Sequence, residues 1–197
     1  RIILVGDHRQ LPHILEPEIE REVQKSIKEE TRSALKRSLF ERLFAELKAR
    51  EQQDGVKRTV TLNVQYRMHR LLGDFVSAQF YEPHGEGFSS ARPDEEFAHK
   101  VTLNDGTLLG GRVAAWVDVP ALKGAESSSR SKSREPEARR VANEALAIVS
   151  RHQDLSVGII TFYSAQRDAI FEQLDDVGLT ELDDEGGYRV RDQWRRT

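Results

Sequence analysis

The chain has 197 residues, enough for one large domain or one and a half small ones. Hydrophobic residues make up 38% and charged residues 32%, the balance of a globular protein with a buried core and a solvated surface. No apolar run approaches the roughly 18 to 20 residues that span a bilayer, so no membrane partner is expected and the protein is placed inside the cell, in the cytoplasm, nucleus or nucleoid. Cysteine is absent, which excludes disulfides and thiolate metal sites. The six histidines (His8, His13, His69, His84, His99, His152) show no paired helical spacing with carboxylates, so no metal site is expected. A net charge of −3 argues little for or against nucleic acid, because a protein binds it through one local groove. Arg1 runs straight into an apolar strand pattern, which reads as an internal piece of a longer chain; the missing targeting signal then says little.

Ile2-Ile-Leu-Val5 is an all-apolar run closed by Gly6-Asp7 and reads as a strand buried on both faces. Pro17 suits the first position of a helix, along which Ile19, Val23 and Ile27 recur. Leu35, Leu39, Phe40, Leu43, Phe44 and Leu47 form the stripe of a second helix, with Gly55 in the connection after it. The β-branched alternation Thr59-Val-Thr-Leu-Asn-Val64 predicts a strand. Leu71, Leu72, Phe75, Val76 and Phe80 give the next helical face. Residues 82–112 carry scattered Gly and Pro and predict loops and short strands. Val113–Val119 reads as a strand ended by Pro120, and Ser127–Arg134 as a flexible, solvated basic loop containing Arg130, Lys132 and Arg134. Pro136 opens a helix with the stripe Ala138, Val141, Ala142, Ala145 and Val149. Ser156–Phe162 predicts another buried strand, and Ser164 an N-cap for a helix carrying Ile170, Phe171 and Leu174. The stretch from Asp183 to Thr197 reads as a polar loop or frayed end. Strands alternating with helices predict an α/β fold with a mostly parallel sheet flanked by helices.

Ligands of open parallel sheets sit beyond the carboxyl ends of strands, where Gly6-Asp7-His8-Arg9-Gln10 falls. Gly6 lets the backbone approach a neighbour closely. Asp7 accepts hydrogen bonds or sits near a metal ion. Gln10 carries a donor and an acceptor, as a sensor of phosphate or attacking water requires. Gly-Asp alone reads as a strand end with a polar turn.

The longer pattern is more specific. Val5-Gly-Asp-His-Arg-Gln-Leu-Pro12 resembles the third motif of superfamily 1 nucleic-acid helicases. Gln65-Tyr-Arg-Met-His69 resembles the next motif, in the form found in the 5′-to-3′ branch that includes the nonsense-mediated-decay helicase and its DNA-acting relatives. Ser38-Leu-Phe-Glu-Arg-Leu43, Gln79-Phe-Tyr81, Glu137-Ala138 and Val157-Gly-Ile-Ile-Thr-Phe-Tyr-Ser-Ala-Gln166 resemble further family segments in the right order, so the resemblance covers nearly the whole chain.

The resemblance implies a RecA-like P-loop NTPase fold, incomplete at both ends. Residues 1–66 would be the C-terminal part of lobe one and 67–197 the N-terminal part of lobe two, with ATP and Mg²⁺ held in the cleft between lobes. It implies that Gln10 meets the γ-phosphate, that Tyr66 stacks on adenine, that Arg67 reaches across to the γ-phosphate, and that Glu137 lies near the nucleotide sugar. Gly6 and Asp7 join them as nucleotide-site residues, and Gln10 and Arg67 are the catalytic candidates. Thr161, Tyr163 and Gln166, at a strand end and helix start, are the candidates for holding a phosphate of single-stranded DNA or RNA. Read without the family, Tyr66 is a core tyrosine, Arg67 a surface ion-pair partner, Glu137 a first-turn carboxylate matched to the helix dipole, and Thr161, Tyr163 and Gln166 an ordinary helix start.

The sequence departs from the family pattern at His13, Arg70 and Phe162, each of which stands where a proline is usual. No Gly-x-x-x-x-Gly-Lys-Ser/Thr loop is present. The magnesium-holding acidic pair is expected upstream of Arg1, and a later motif with a second arginine beyond Thr197. Two functions compete. One is an ATP-dependent helicase or translocase to which this segment supplies the γ-phosphate sensor and the lobe-two face of the cleft, inactive when isolated. The other is a degenerate ATPase scaffold that binds nucleic acid or protein. Retention of both Gln10 and Arg67 favours the first. An unrelated receiver domain built on Asp7 leaves the Tyr66-Arg67 segment unexplained.

Overall fold

A computed structural model describes residues 2–10, 16–26, 28 and 37–195. Leu11, Pro12, His13, Ile27 and Leu35 of the sequence patterns, and the side chain of Val23, lie outside the described residues. The chain divides into two compact units at residues 94 and 95.

In the first unit, α1 (Pro17–Ser26) starts at its proline as predicted. Helix α2 (Leu39–Asp54) has clear boundaries. The Ser38 side chain accepts a hydrogen bond from the Glu41 amide at 3.1 Å, satisfying a donor that the helix start leaves open. Gly55 ends the helix in the left-handed region at φ 72°, returning its N–H to the Glu51 carbonyl. Arg58 then folds back on Asp54 at 2.6 Å. The apolar side of α2 supplies Phe40 and Phe44, whose rings stack 6.1 Å apart. Next comes a small β-α-β unit. Strand β1 (Val64–Gln65) pairs in parallel with β2 (Ser89–Ser90), and the crossover runs through α3 (Arg70–Val76), a π-helical turn (Ser77–Tyr81) and a 3₁₀ turn (Glu82–His84).

The second unit is built on α4 (Glu135–Arg151) packed against α5 (Ser164–Asp176). Ala138, Ala142 and Ala145 recur on one face of α4, and their small side chains let Ile170, Leu174 and Leu179 close over them to form the buried core. Of the stretch from Asp183 onward, expected as loop, the described residues include the turn and second strand of a hairpin. Strands β3 (Thr180–Leu182) and β4 (Tyr188–Val190) pair antiparallel with Leu182 opposite Tyr188. The Asp183 carboxylate accepts from the Glu185 and Gly187 amides at 3.0 and 2.8 Å and shapes the turn. Tyr188 stacks on Phe171, and the Trp194 indole donates to the Gly178 carbonyl.

The predicted strands at Ile2–Val5, Val113–Val119 and Ser156–Phe162 are not formed as strands. Of Thr59–Val64 only Val64 belongs to a strand, with the Asn63 carbonyl accepting from the Ser89 amide beside it. Ile2 is 89% exposed, Trp116 92% and Phe162 fully. Their composition is that of buried strands, but a strand exists only where a neighbour takes its backbone N–H and C=O groups. Among the described residues, nothing pairs with these runs. Val157 and Ile159 nevertheless lie against the helices. They line one groove of about 450 Å³ with Ala145, Ile170 and Leu174, and a second of about 500 Å³ with Val141 and Ile148. The architecture is therefore α/β with a small parallel sheet. Among the described residues, no helix is long and apolar enough to cross a membrane.

Candidate functional site

Gln65 organises the loop that carries Tyr66 and Arg67. Its side-chain oxygen accepts from the Arg67 and Met68 amides at 2.8 and 2.9 Å, while its Nε2 donates to the Met68 carbonyl at 2.8 Å and to Ser90 Oγ at 2.6 Å. One amide side chain thus replaces a turn's worth of backbone partners and ties the loop to the neighbouring strand. His69 continues the motif by capping α3: its Nδ1 accepts from the Leu71 amide. Gly73, one turn into α3, is buried, and a Cβ there would overlap Ser90 Oγ and come within 3.0 Å of Gln65 Nε2. The glycine is needed for close approach, with no unusual backbone angle involved. The sequence places Gln65 in the same motif as Tyr66 and Arg67 without giving it a role, and Gly73 and Ser90, which also hold the turn, lie outside it; an interior glycine on a short helix is the available signal.

The result is that Tyr66 and Arg67 face outward. Tyr66 is 65% exposed, so it is no core tyrosine. Arg67 is exposed and makes no side-chain hydrogen bond or ion pair with another described residue. An adjacent aromatic face and a guanidinium with no partner among the described residues, both presented by a braced turn, have the chemistry to stack on a flat ring and to pair with an oxyanion.

The loop at Asp7 forms a second cluster in the same unit. The Asp7 carboxylate accepts from the Tyr81 phenol at 2.6 Å, from Gln10 Nε2 at 2.8 Å and from the Arg9 amide at 2.9 Å. Burial alone would raise its pKa, but these three bonds and the nearby His8 outweigh it and hold the carboxyl below its ordinary value. Burial and the bond to Asp7 push the Tyr81 phenol the other way, upward. Glu86 receives Arg9 Nε at 2.7 Å and lies 3.3 Å from His8 Nε2. Its carboxyl, which burial would raise, is lowered by the Arg9 bond and the charges of His8, Arg9 and Lys48. His8 packs 4.9 Å from the Phe44 ring. Gly6 does admit a close neighbour, and that neighbour is Phe40: a Cβ on Gly6 would sit 2.9 Å from its ring.

In the second unit Glu137 is ion-paired with Arg134 at 2.8 Å, on the first turn of α4. Arg134, expected as a solvated loop residue, is half-buried and donates to the carbonyls of Val119, Pro120 and Gly124. Gln166 is buried and pairs both ways with the Arg134 backbone, accepting its N–H and donating to its C=O. Ser164 does not cap α5 itself. Ser131 does so from outside, accepting from the Ala165 amide at 3.0 Å and meeting Ser164 Oγ at 3.1 Å. The serine-rich loop is thereby pinned to the helix start. Thr161 is half-buried at the edge of the first groove and Tyr163 is exposed. Among the described residues, no group of three or more His, Cys, Asp or Glu could hold a metal ion.

The sequence matches the family described as the AAA domain over residues 35–185, well over half of the chain. The chain belongs to the AAA domain family. No curated protein and no solved structure matches it. An AAA domain with helices around a small parallel sheet fits an α/β, P-loop-like fold, and membership supports a helicase-like, ATPase-type function that binds nucleotide. The matched span includes the Gln65–His69 turn, Tyr81, Glu86 and Glu137 of this AAA domain.

Proposed function

We propose that the chain contributes the γ-phosphate sensor and the second-lobe face of the ATP cleft to an ATP-dependent, 5′-to-3′ nucleic-acid helicase or translocase of superfamily 1. On this reading residues 1–66 are the end of a first RecA-like lobe, 67–197 the beginning of a second, and the phosphate loop and magnesium carboxylates belong to sequence outside this chain. The observation that carries the reading is the Gln65-braced turn, which presents an exposed Tyr66 beside an Arg67 whose side chain has no partner among the described residues.

Tyr66 offers a flat apolar face to the adenine, an interaction that asks little of the base's hydrogen-bonding edge. Arg67 offers paired donors in fixed geometry to phosphate oxygens, and its distance from the phosphate depends on how closed the site is. Gln10 touches the γ-phosphate with the amide atoms that Asp7 does not use. Glu137, steadied by Arg134, accepts from a sugar hydroxyl. Tyr163 and Thr161 meet the backbone of single-stranded DNA or RNA; Gln166 supports that loop from beneath through Arg134. Bound Mg²⁺ would neutralise phosphate charge; among the described residues no carboxylate cluster fits it, so its ligands are expected elsewhere.

The test uses the complete protein, with the isolated chain as a reference that should show no steady ATP turnover. Arg67→Ala is expected to lower nucleic-acid-stimulated turnover by about 10³ to 10⁵ while leaving nucleotide affinity nearly unchanged, because such a group acts on charge that develops in the transition state. Arg67→Lys should recover little. Turnover at the parent level in Arg67→Ala would remove Arg67 from the site. Nucleic-acid binding with no hydrolysis by the complete protein would establish the scaffold function instead.

A further inference from the structure

We infer that Tyr81 is a positioning residue for Gln10, acting on its side chain directly and through Asp7. The inference rests on the reading of Gln10 as the phosphate sensor, and adds Tyr81, from the Gln79-Phe-Tyr81 segment, to the machinery that sets it.

A glutamine side chain has three rotatable bonds, and an exposed one samples many rotamers. Gln10 is exposed; its Nε2 donates to Asp7 Oδ2 at 2.8 Å, and its side chain also hydrogen-bonds the Tyr81 phenol. Asp7 is exposed as well, so the pair would wander together unless something fixed the carboxylate. Two groups fix it. The Arg9 amide holds Oδ1 at 2.9 Å from within the same loop. The Tyr81 phenol holds Oδ2 at 2.6 Å, 74 residues away in sequence, on the same oxygen that takes Gln10.

Tyr81 is suited to be the reference point because its own ring is fixed. It meets Phe88 edge to face at 5.1 Å, and the Phe88 amide donates to the fully buried Ser77 hydroxyl at 3.0 Å. Ser77 in turn donates to Glu82 at 3.0 Å. On the loop side, Glu86 grips Arg9 at 2.7 Å, so the loop is attached at two points on the segment 81–86. The phenol donor also biases Asp7 towards its charged form, which only accepts, so the Gln10 amide must present its nitrogen to Asp7 and its oxygen away from it. The carboxylate thus sets which amide atom faces it, and the phenol fixes where the accepting oxygen sits.

The experiment is steady-state ATP hydrolysis by the complete protein with single-stranded nucleic acid, for Gln10→Ala, Tyr81→Phe and the double variant. Phenylalanine keeps the ring and its contact with Phe88 and deletes one hydroxyl. Tyr81→Phe should lower kcat about tenfold, the scale of one lost hydrogen bond to a carboxylate, with the KM for ATP within about twofold of the parent and the circular dichroism spectrum unchanged. In the Gln10→Ala background the same substitution should do nothing further, since its effect passes through Gln10. Asp7→Asn, which keeps the shape but loses the charge, should match Tyr81→Phe in direction and serves if Tyr81→Phe fails to fold. If Gln10→Ala leaves kcat untouched, the sensor reading fails and this inference with it. If Gln10→Ala lowers kcat but Tyr81→Phe does not, or if the two effects simply multiply in the double variant, the sensor reading stands and the role of Tyr81 is overturned.

Discussion

Gly73→Ala isolates the packing that holds the Tyr66-Arg67 turn, because two opposing effects there have known sizes. In a helix interior free of neighbours, alanine is favoured over glycine by about 1 kcal/mol. At Gly73 the new methyl would overlap Ser90 Oγ and reach within 3.0 Å of Gln65 Nε2. Ser90 cannot retreat by backbone movement, since the strand around it is pinned by the Ser89 amide to the Asn63 carbonyl at 2.9 Å and the Ala91 amide to the Gln65 carbonyl at 3.1 Å. It can only rotate its hydroxyl away, which breaks the 2.6 Å bond from Gln65. That loss costs about 1 kcal/mol, and the residual overpacking of a tight site about 1–3 kcal/mol more. The expected net effect is destabilisation by about 1–3 kcal/mol despite the better helix former. Urea unfolding followed by circular dichroism measures it. The same unfolding on Ser90→Ala and on the double variant should show Gly73→Ala becoming neutral or stabilising once the hydroxyl is gone. Gly73→Ala at or above parent stability would refute the reasoning, for propensity would then outweigh contact.

Two further outcomes are expected. The Asp54 carboxyl, held by hydrogen bonds from Arg58 and the Val56 amide, is lowered to about 2. A depressed folded-state value means its contribution is complete above the unfolded value near 3.9 and lost as pH falls through 2, so the difference in melting temperature between the parent and Asp54→Asn should be constant from neutral pH to about 5 and shrink to a small fraction by pH 2; a difference that persists unchanged at pH 2 would contradict it. Arg134→Lys should free the segment around Pro120–Gly124, because an ammonium cannot reach three carbonyls and Glu137 in the geometry of the guanidinium fork; hydrogen exchange should speed up at the Lys123 and Gly124 amides, and unchanged protection there would show that Arg134 is not the clasp.

Local chemistry in the sequence determined a good deal. Pro17, Ser38, Gly55 and Pro136 mark helix boundaries because each acts on the backbone within a turn of itself. The alanine stripe of α4 gave the core of the second unit, since periodicity is a property of one helix alone. Tyr66 and Arg67 stood out through the motif they share. What the sequence could not show is who answers whom across the chain. Tyr81 meeting Asp7, Ser131 capping α5, Arg134 clasping three carbonyls and Gln65 reaching Ser90 are contacts between residues 10 to 74 positions apart, with no period and no local signal. The strand predictions show the same limit from the other side. Ile2–Val5, Val113–Val119 and Ser156–Phe162 have the side chains of buried strands, yet a strand is a relation between two backbones, and only the tertiary structure decides whether the second one is there.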